Sequence, residues 1–263
     1  MIPESRAIQR PPEAKLLAVD AAGRMRRILR ANFVTLLRRI WAHLASYGRP
    51  IQYAHVPAPL ALWDVWTPIA GPPVAFESPS AGFTLDWRSL ALMRSCGIRF
   101  ATLTHAAGIS STGDPELDNL LPLDEPYSIP VKTAAAVNAA RAHGGRVIAI
   151  GTTVVRAAGA RNGIVRAGND VATGRIGVGT KLRIVDAIVT GTHQPGTSHH
   201  ALLGAFLGET PLRRLDAELA TNHYRTHEFG DSLLIERGDG SISGWAENAY
   251  RHVLPGAQAG VAL

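Results

Sequence analysis

From Pro79 onward the chain alternates short apolar runs with longer amphipathic stretches, and this alternation limits the possible folds most strongly. The predicted strands lie at 98–104, 146–150, 182–190 and 232–236. The predicted helices lie at 86–96, 132–143, 198–206 and 212–221. Strands that alternate with helices are typical of layered α/β proteins, so we expect that fold class here.

The segment before Pro79 follows a different pattern. Residues 15–20 predict a short strand, and residues 24–47 predict a helix with arginines on its exposed face. Seven prolines between positions 48 and 79 exclude long helices there. We expect Trp63 and Trp66 to be buried as anchors of this extended segment.

The charge of the chain comes almost entirely from arginine. The formal net charge is +6, and lysine occurs only at positions 15, 132 and 181. The planar guanidinium of arginine suits phosphate and carboxylate recognition, which is compatible with a nucleic acid partner. An arginine-rich composition also arises from GC-rich genes, so the charge leaves both interpretations open.

Several classes of protein are excluded by what the sequence lacks. Its single cysteine, Cys96, excludes an internal disulfide framework and a multi-cysteine zinc site. No apolar run reaches the roughly 18 residues of a membrane-spanning helix, and no secretion signal is recognisable, so we expect a cytoplasmic protein. The sequence has no Gly-x-Gly-x-x-Gly, Walker or Gly-x-Ser-x-Gly motif, which excludes the usual dehydrogenases, NTPases and hydrolases.

Two segments at the ends of predicted strands carry chemically useful side chains. His105 follows the strand at 98–104, where it can act as a general base or be satisfied by loop carbonyls. Gly151, Thr152 and Thr153 follow the strand at 146–150, where their N–H and hydroxyl groups suit a carboxylate or phosphate. Arg156 lies one turn further along and can bind the same anion, whereas the alternative for this segment is a plain helix cap.

Two further segments lie near predicted strand ends. The spacing of His193, His199 and His200 is not that of a zinc site, so we expect no metal. We expect His193 to line a pocket, and His199 and His200 to begin the next helix. Asp231 follows a glycine turn, where it can orient a base or belong to an ordinary turn.

The residues around position 125 include two adjacent carboxylates, Asp124 and Glu125. Neighbouring side chains on a strand point to opposite faces, so this pair does not suit a glycosidase.

Five segments occur in a characteristic order between about residues 48 and 237: FATLTHAAG, LDEPYSIP, GGRVIAIGTTVVR, RIVDAIVTGTHQPGTS and HEFGDSLLI. This series resembles the S-adenosylmethionine:tRNA ribosyltransferase-isomerase (QueA) family. The resemblance implies an enzyme that transfers and isomerises the ribosyl group of S-adenosylmethionine onto the preQ1 base of a tRNA anticodon. Epoxyqueuosine forms, and adenine and methionine leave.

The resemblance also implies roles for individual residues. Catalytic roles are implied for His105, Glu125, His193 and Asp231. Substrate binding is implied for Gly151, Thr152, Thr153, Arg156, Pro195 and Gly230. S-adenosylmethionine is the expected co-substrate and preQ1-modified tRNA the expected partner, with no metal, no DNA and a monomeric state.

The sequence also departs from that family. Thr84 stands where the family carries a histidine. By the same resemblance, we expect the family's inserted β-barrel domain to be naturally absent near residues 38–39, or a segment to be missing from the sequence there. We therefore expect a divergent member with one layered α/β/α Rossmann-like domain at 1–237, at most a remnant of the barrel, and a loosely ordered tail at 238–263. A non-tRNA acceptor and a non-catalytic binding protein remain the alternative functions.

Overall fold

A computed structural model of the 263-residue chain describes residues 39–40, 42–43, 46–48, 50, 56, 58–71, 75, 79–108, 114–159, 163–226 and 229–238. The chain divides into two compact units, residues 1–48 and 49–263.

The described part of the first unit is helical at residues 39–40, 42–43 and 46–47. The predicted strand at 15–20, most of the predicted helix at 24–47 and the predicted tail after Gly238 lie outside the described residues. The extent of the predicted domain at 1–237 and the missing barrel near 38–39 stay predictions.

The described part of the second unit is built from strands and helices that alternate along the chain. The strands are β1 (Thr104–His105), β2 (Glu125–Ile129), β3 (Ile148–Ile150), β4 (Gly168–Ala172), β5 (Ala187–Gly191) and β6 (Ser232–Glu236). The helices are α1 (Trp87–Ser95), α2 (Pro115–Asp118), α3 (Val131–Ala142), α4 (Thr152–Gly159), α5 (Ser198–Leu207) and α6 (Glu209–Thr221). Two 3-10 helices span Leu62–Val65 and Ser80–Thr84. The predicted α/β class is confirmed.

The six strands form two three-stranded sheets. Sheet A is antiparallel with the order β1-β2-β4, and His105 pairs with Tyr127 across its first two strands. Alternate residues of β2 are buried, namely Glu125, Tyr127 and Ile129, because successive side chains of a strand point to opposite faces. The buried side chains of β2 are therefore apolar except for the Glu125 carboxylate and the Tyr127 hydroxyl.

Sheet B has the order β3-β5-β6. Its strands β3 and β5 are parallel, so both end at the same edge, and the antiparallel β6 begins there. The loops that follow Ile150 and Gly191 therefore lie beside the segment that precedes Ser232. This edge is the one at which open α/β sheets commonly bind ligands.

The helix α4 connects the two sheets. It begins directly after β3 and contacts β1 and β4 of sheet A as well as β5 of sheet B. Its residues Val155 and Ala157 belong to a common apolar core with Tyr127 and Ile129 of sheet A and Ile188 of sheet B. Side chains of α4 are thus held rigidly against both sheets.

Two predicted features differ in the structure. Trp63 and Trp66 are 78% and 60% exposed, so their expected burial is wrong. Trp63 lies in a single-turn 3-10 helix, and the buried residue that follows both tryptophans is Thr67. The strand predicted at 98–104 is reduced to β1, because its partner β2 ends at Ile129 and Pro130 offers no N–H to continue the ladder.

Candidate active site

Glu125, the first residue of β2, is the polar centre of sheet A. Its Oε1 accepts a hydrogen bond from the Gly108 N–H at 2.7 Å. Its Oε2 accepts one from Nη1 of Arg156, which projects from α4. The two side chains are 9% and 5% exposed, so this is a buried ion pair.

Arg156 donates further hydrogen bonds on the side of sheet A. Its Nη2 donates towards the carbonyl oxygens of Leu123, Ala172 and Gly174 at 3.0, 3.3 and 3.4 Å. The sequence placed this guanidinium with Thr152 and Thr153 around one anion. The structure instead directs it to Glu125 and the ends of β2 and β4, because a side chain one turn along α4 faces the other sheet.

His105 lies beside this pair. Its Nε2 is 3.6 Å from Oε2 of Glu125, and its side chain is only 3% exposed. Its ring is parallel to that of Tyr127, with an angle of 4° between the planes and 6.4 Å between the centroids. Among the described residues, none forms a hydrogen bond with either ring nitrogen. The described residues therefore do not support the alternative, in which carbonyl groups of the loop accept hydrogen bonds from His105.

The environment of His105 favours its neutral form. Burial of the ring, and secondarily the positive charge of Arg156, lower its pKa from 6.5 to about 4. A neutral imidazole keeps one nitrogen with a free lone pair at pH 7. Such a group can accept a proton from a bound substrate.

The turn between β3 and α4 forms a second group of candidate residues. Gly151 has φ of 92°, a conformation that favours glycine, and its N–H donates to the Val189 carbonyl at 2.8 Å. Thr152 is buried and Thr153 half-buried at the start of α4. The Gly151, Thr152 and Thr153 segment thus lies at the ligand-binding edge of sheet B.

The end of β5 lies at the same edge. Nε2 of His193 lies 2.8 Å from the Thr190 hydroxyl, and its ring centroid is 5.2 Å from that of His199. The turn that follows contains Pro195, which is exposed. Thr197 caps α5 by accepting the N–H of His200 at 3.2 Å, so the predicted start of a helix at this point is confirmed.

Asp231, which directly precedes β6, lies at the same edge of sheet B. Its Oδ2 accepts the Arg225 N–H at 2.7 Å, and its carbonyl accepts the Thr192 N–H at 2.9 Å. Gly230 is half-buried beside it, after Phe229, whose φ of 64° is unusual for a bulky residue. The Asp231 carboxylate therefore stabilises this turn, which agrees with the interpretation of Asp231 as part of an ordinary turn.

The structure thus divides the predicted site residues into two groups. His105, Glu125 and Arg156 meet at sheet A, whereas the Gly151–Thr153 turn lies with the segments around His193 and Asp231 at sheet B. The helix α4 begins in the second group and carries Arg156 into the first. Within the described part of the chain, no group of three or more His, Cys, Asp or Glu side chains is arranged to hold a metal ion.

Sequence reasoning missed two residues that contact Glu125 or His105, and one buried hydroxyl elsewhere in the fold. Gly108 binds Glu125 through its backbone, which no side-chain pattern reveals. Tyr127 shares a strand face with Glu125, and the spacing of two residues on β2 was a signal for this. Thr67 has a buried hydroxyl that makes no hydrogen bond with the described residues, near Gly82 of the second 3-10 helix.

The described residues contain no helix with both the length and the apolar character needed to cross a membrane. Comparison with known proteins assigns a family to the chain. The family described as "Queuosine biosynthesis protein" matches residues 7–235.

Several curated relatives carry the name S-adenosylmethionine:tRNA ribosyltransferase-isomerase. That of Thiobacillus denitrificans is 30% identical over 227 residues, covering 84% of this chain and 66% of the relative. That of Thermus thermophilus is 33% identical over 233 residues, covering 85% and 64%. That of Sorangium cellulosum is 37% identical over 205 residues, covering 71% and 54%.

A crystal structure of S-adenosylmethionine tRNA ribosyltransferase from Thermotoga maritima is 25% identical, with a TM-score of 0.48, and covers 59% of this chain and 51% of that one. The chain spans about half to two thirds of the length of the curated relatives it matches. The match of the family over residues 7–235 covers most of the 263 residues. The chain therefore belongs to the queuosine biosynthesis protein family.

Proposed function

We propose that this chain transfers and isomerises the ribosyl group of S-adenosylmethionine onto a preQ1-modified tRNA, with His105 as the proton acceptor. The names of its relatives support the substrates. The observation that carries the role of His105 is its buried ring, which is neutral at pH 7 and has both nitrogens without a hydrogen bond among the described residues.

The proposed reaction needs a base that removes a proton next to the sulfonium of S-adenosylmethionine. His105 takes up that proton, and the carboxylate of Glu125, 3.6 Å away, stabilises the imidazolium that results. Adenine and methionine leave, and epoxyqueuosine remains on the tRNA.

The second group of residues has the chemistry to hold the substrates. The backbone N–H groups and hydroxyls of Thr152 and Thr153, which follow the turn at Gly151, suit the methionine carboxylate of S-adenosylmethionine. We assign His193, Pro195 and Gly230 to the lining of the acceptor side, and Asp231 to the support of its turn. A tRNA substrate also implies a cytoplasmic protein with a binding affinity that falls steeply with salt.

Adenine release from S-adenosylmethionine tests this function, measured with preQ1-modified tRNA, with unmodified tRNA and without RNA. We expect release only with the modified tRNA, together with epoxyqueuosine in the digested RNA. His105→Gln should abolish release, whereas His143→Gln changes an exposed histidine at the end of α3 and should leave it intact. The absence of release from a folded wild-type chain with modified tRNA would contradict the proposal.

A second candidate function is supported by Thr84. Its hydroxyl donates to the Ala81 carbonyl at 2.9 Å within the 3-10 helix, at the position where the resembled family carries a histidine. A protein that binds S-adenosylmethionine without transferring its ribosyl group fits this change. Calorimetric binding of S-adenosylmethionine without any adenine release would select this alternative, and release without RNA would select a small-molecule acceptor or simple hydrolysis.

A further inference from the structure

Both terminal nitrogens of the Arg156 guanidinium donate to acceptors of the protein around sheet A. A residue that binds a substrate anion needs donors directed into the site. The terminal N–H groups of Arg156 instead point to Glu125 and to the ends of β2 and β4.

Glu125 is held at both oxygens from two directions. The Gly108 N–H, from the loop after β1, fixes Oε1, and Arg156, from α4, fixes Oε2. A Cβ on Gly108 would lie 3.4 Å from Oε1, so this backbone approach is close. Rotation of the carboxylate is thus prevented, and Oε2 stays beside the ring of His105.

From this arrangement we infer that Arg156 is a positioning residue, which together with the Gly108 N–H fixes the Glu125 carboxylate against His105 and does not touch substrate. The inference rests on the proposed function, because it assigns Arg156 a part in the proton transfer by His105. It replaces the anion-binding role that the sequence suggested.

The two opposite charges have complementary effects on His105. A carboxylate alone would favour the imidazolium and leave the ring already protonated, unable to accept a proton. Burial of the ring and, secondarily, the positive charge of Arg156 oppose this, so the ring stays neutral until a proton arrives. Of the described residues, the titratable or charged groups that face the ring are Glu125 and Tyr127 on β2 and Arg156 on α4.

The first test needs no activity. The His105 ring is titrated by NMR in the full chain, in the wild type and in Arg156→Lys and Arg156→Gln. We expect the wild-type ring to stay neutral down to about pH 4. Arg156→Gln should raise the midpoint by about one unit or more, whereas Arg156→Lys keeps the charge and should raise it less. Arg213→Gln, on the exposed face of α6, is the matched control and should change nothing.

Arg156→Gln leaves Glu125 buried without a partner and can fail to fold. The double variant Glu125→Gln/Arg156→Gln removes both charges and keeps the size of the side chain at position 125. Its His105 midpoint should lie below that of Arg156→Gln, since the carboxylate is also gone. A wild-type midpoint in folded Arg156→Gln would overturn the inference. Where that variant does not fold, a midpoint that does not rise at all in Arg156→Lys would overturn it.

The second test separates positioning from substrate binding. If adenine release is observed, Arg156→Lys should lower kcat and leave the KM for S-adenosylmethionine nearly unchanged. A KM that rises with an unchanged kcat and an unchanged His105 titration would show that Arg156 binds the substrate, and would overturn the inference. The proposed function fails separately, if the titration shifts as expected but the wild type releases no adenine.

Discussion

Nε2 of His105 lies 3.6 Å from Oε2 of Glu125, close enough for electrostatic attraction and too far for a hydrogen bond. The hydrogen bonds of that carboxylate go to Gly108 and Arg156 instead. His105 is therefore next to a negative charge that is already compensated. Together with the burial of the ring, this relationship explains how His105 stays neutral beside a carboxylate.

The neutrality of His105 predicts that acid destabilises the chain through this residue. Below pH 6.5 the unfolded chain binds a proton at His105, whereas the folded chain binds it only near pH 4. The free energy of unfolding should therefore fall as the pH decreases through this window, by about 3 kcal/mol at most from this group. Urea denaturation between pH 4.5 and 7 measures this change in the free energy of unfolding. In His105→Gln the dependence on pH should be weaker, and equal slopes in both proteins would contradict the prediction.

The burial of the Arg156 and Glu125 pair predicts a large effect when one partner is removed. Arg156→Met should lower the free energy of unfolding by about 3 to 5 kcal/mol, because it leaves a buried carboxylate without its counter-charge. Glu125→Gln/Arg156→Met should recover part of this loss.

The exposed pair of Arg213 and Glu209 on α6 is a matched control. Its side chains are 65% and 68% exposed. Arg213→Met should therefore change the free energy of unfolding by less than about 1 kcal/mol in the same urea titrations. Similar losses in Arg156→Met and Arg213→Met would show that burial of the first pair has no energetic consequence.

The close packing around Gly82 predicts that this position does not accept a side chain. A Cβ there would lie 2.7 Å from Cγ1 of Ile69 and 2.8 Å from Oγ1 of Thr67. Gly82→Ala should therefore destabilise the chain by about 1 to 3 kcal/mol, seen as a lower Tm. Gly71→Ala has no neighbouring atom within 4 Å and serves as the control, with an unchanged or slightly higher Tm. An unchanged Tm in Gly82→Ala would mean that the 3-10 helix moves freely.

The turn between β3 and α4 predicts a role for Thr153 in binding S-adenosylmethionine. Thr153→Val removes a hydroxyl at the start of α4 and keeps the shape of the side chain. If that hydroxyl binds the methionine carboxylate, the Kd should rise about 2- to 10-fold, which isothermal titration calorimetry detects. Thr221→Val, on the exposed end of α6, should leave the Kd unchanged. An unchanged Kd in Thr153→Val would remove this residue from the binding site.

Much of the local structure could be predicted because its signals lie close together in the chain. Asp86 accepts the Ser89 N–H at 2.5 Å and begins α1, as a capping aspartate at the start of a predicted helix should. The predicted strand at 232–236 is confirmed as β6. The strands β2 and β4 were not predicted, because Pro126 interrupts the first pattern and the second is largely polar and exposed.

The sequence by itself determined the alternation of helices and strands, the chemically active segments at strand ends and the family that they resemble. Periodicity, capping and turn residues act over a few neighbouring positions, so they can be recognised in the sequence alone. The tertiary structure decided which of those segments meet. Arg156 joins Glu125, 31 residues earlier in the chain, because α4 packs against sheet A as well as sheet B. Because of that packing, Arg156, which the sequence suggested as an anion-binding residue, is the partner of a buried carboxylate.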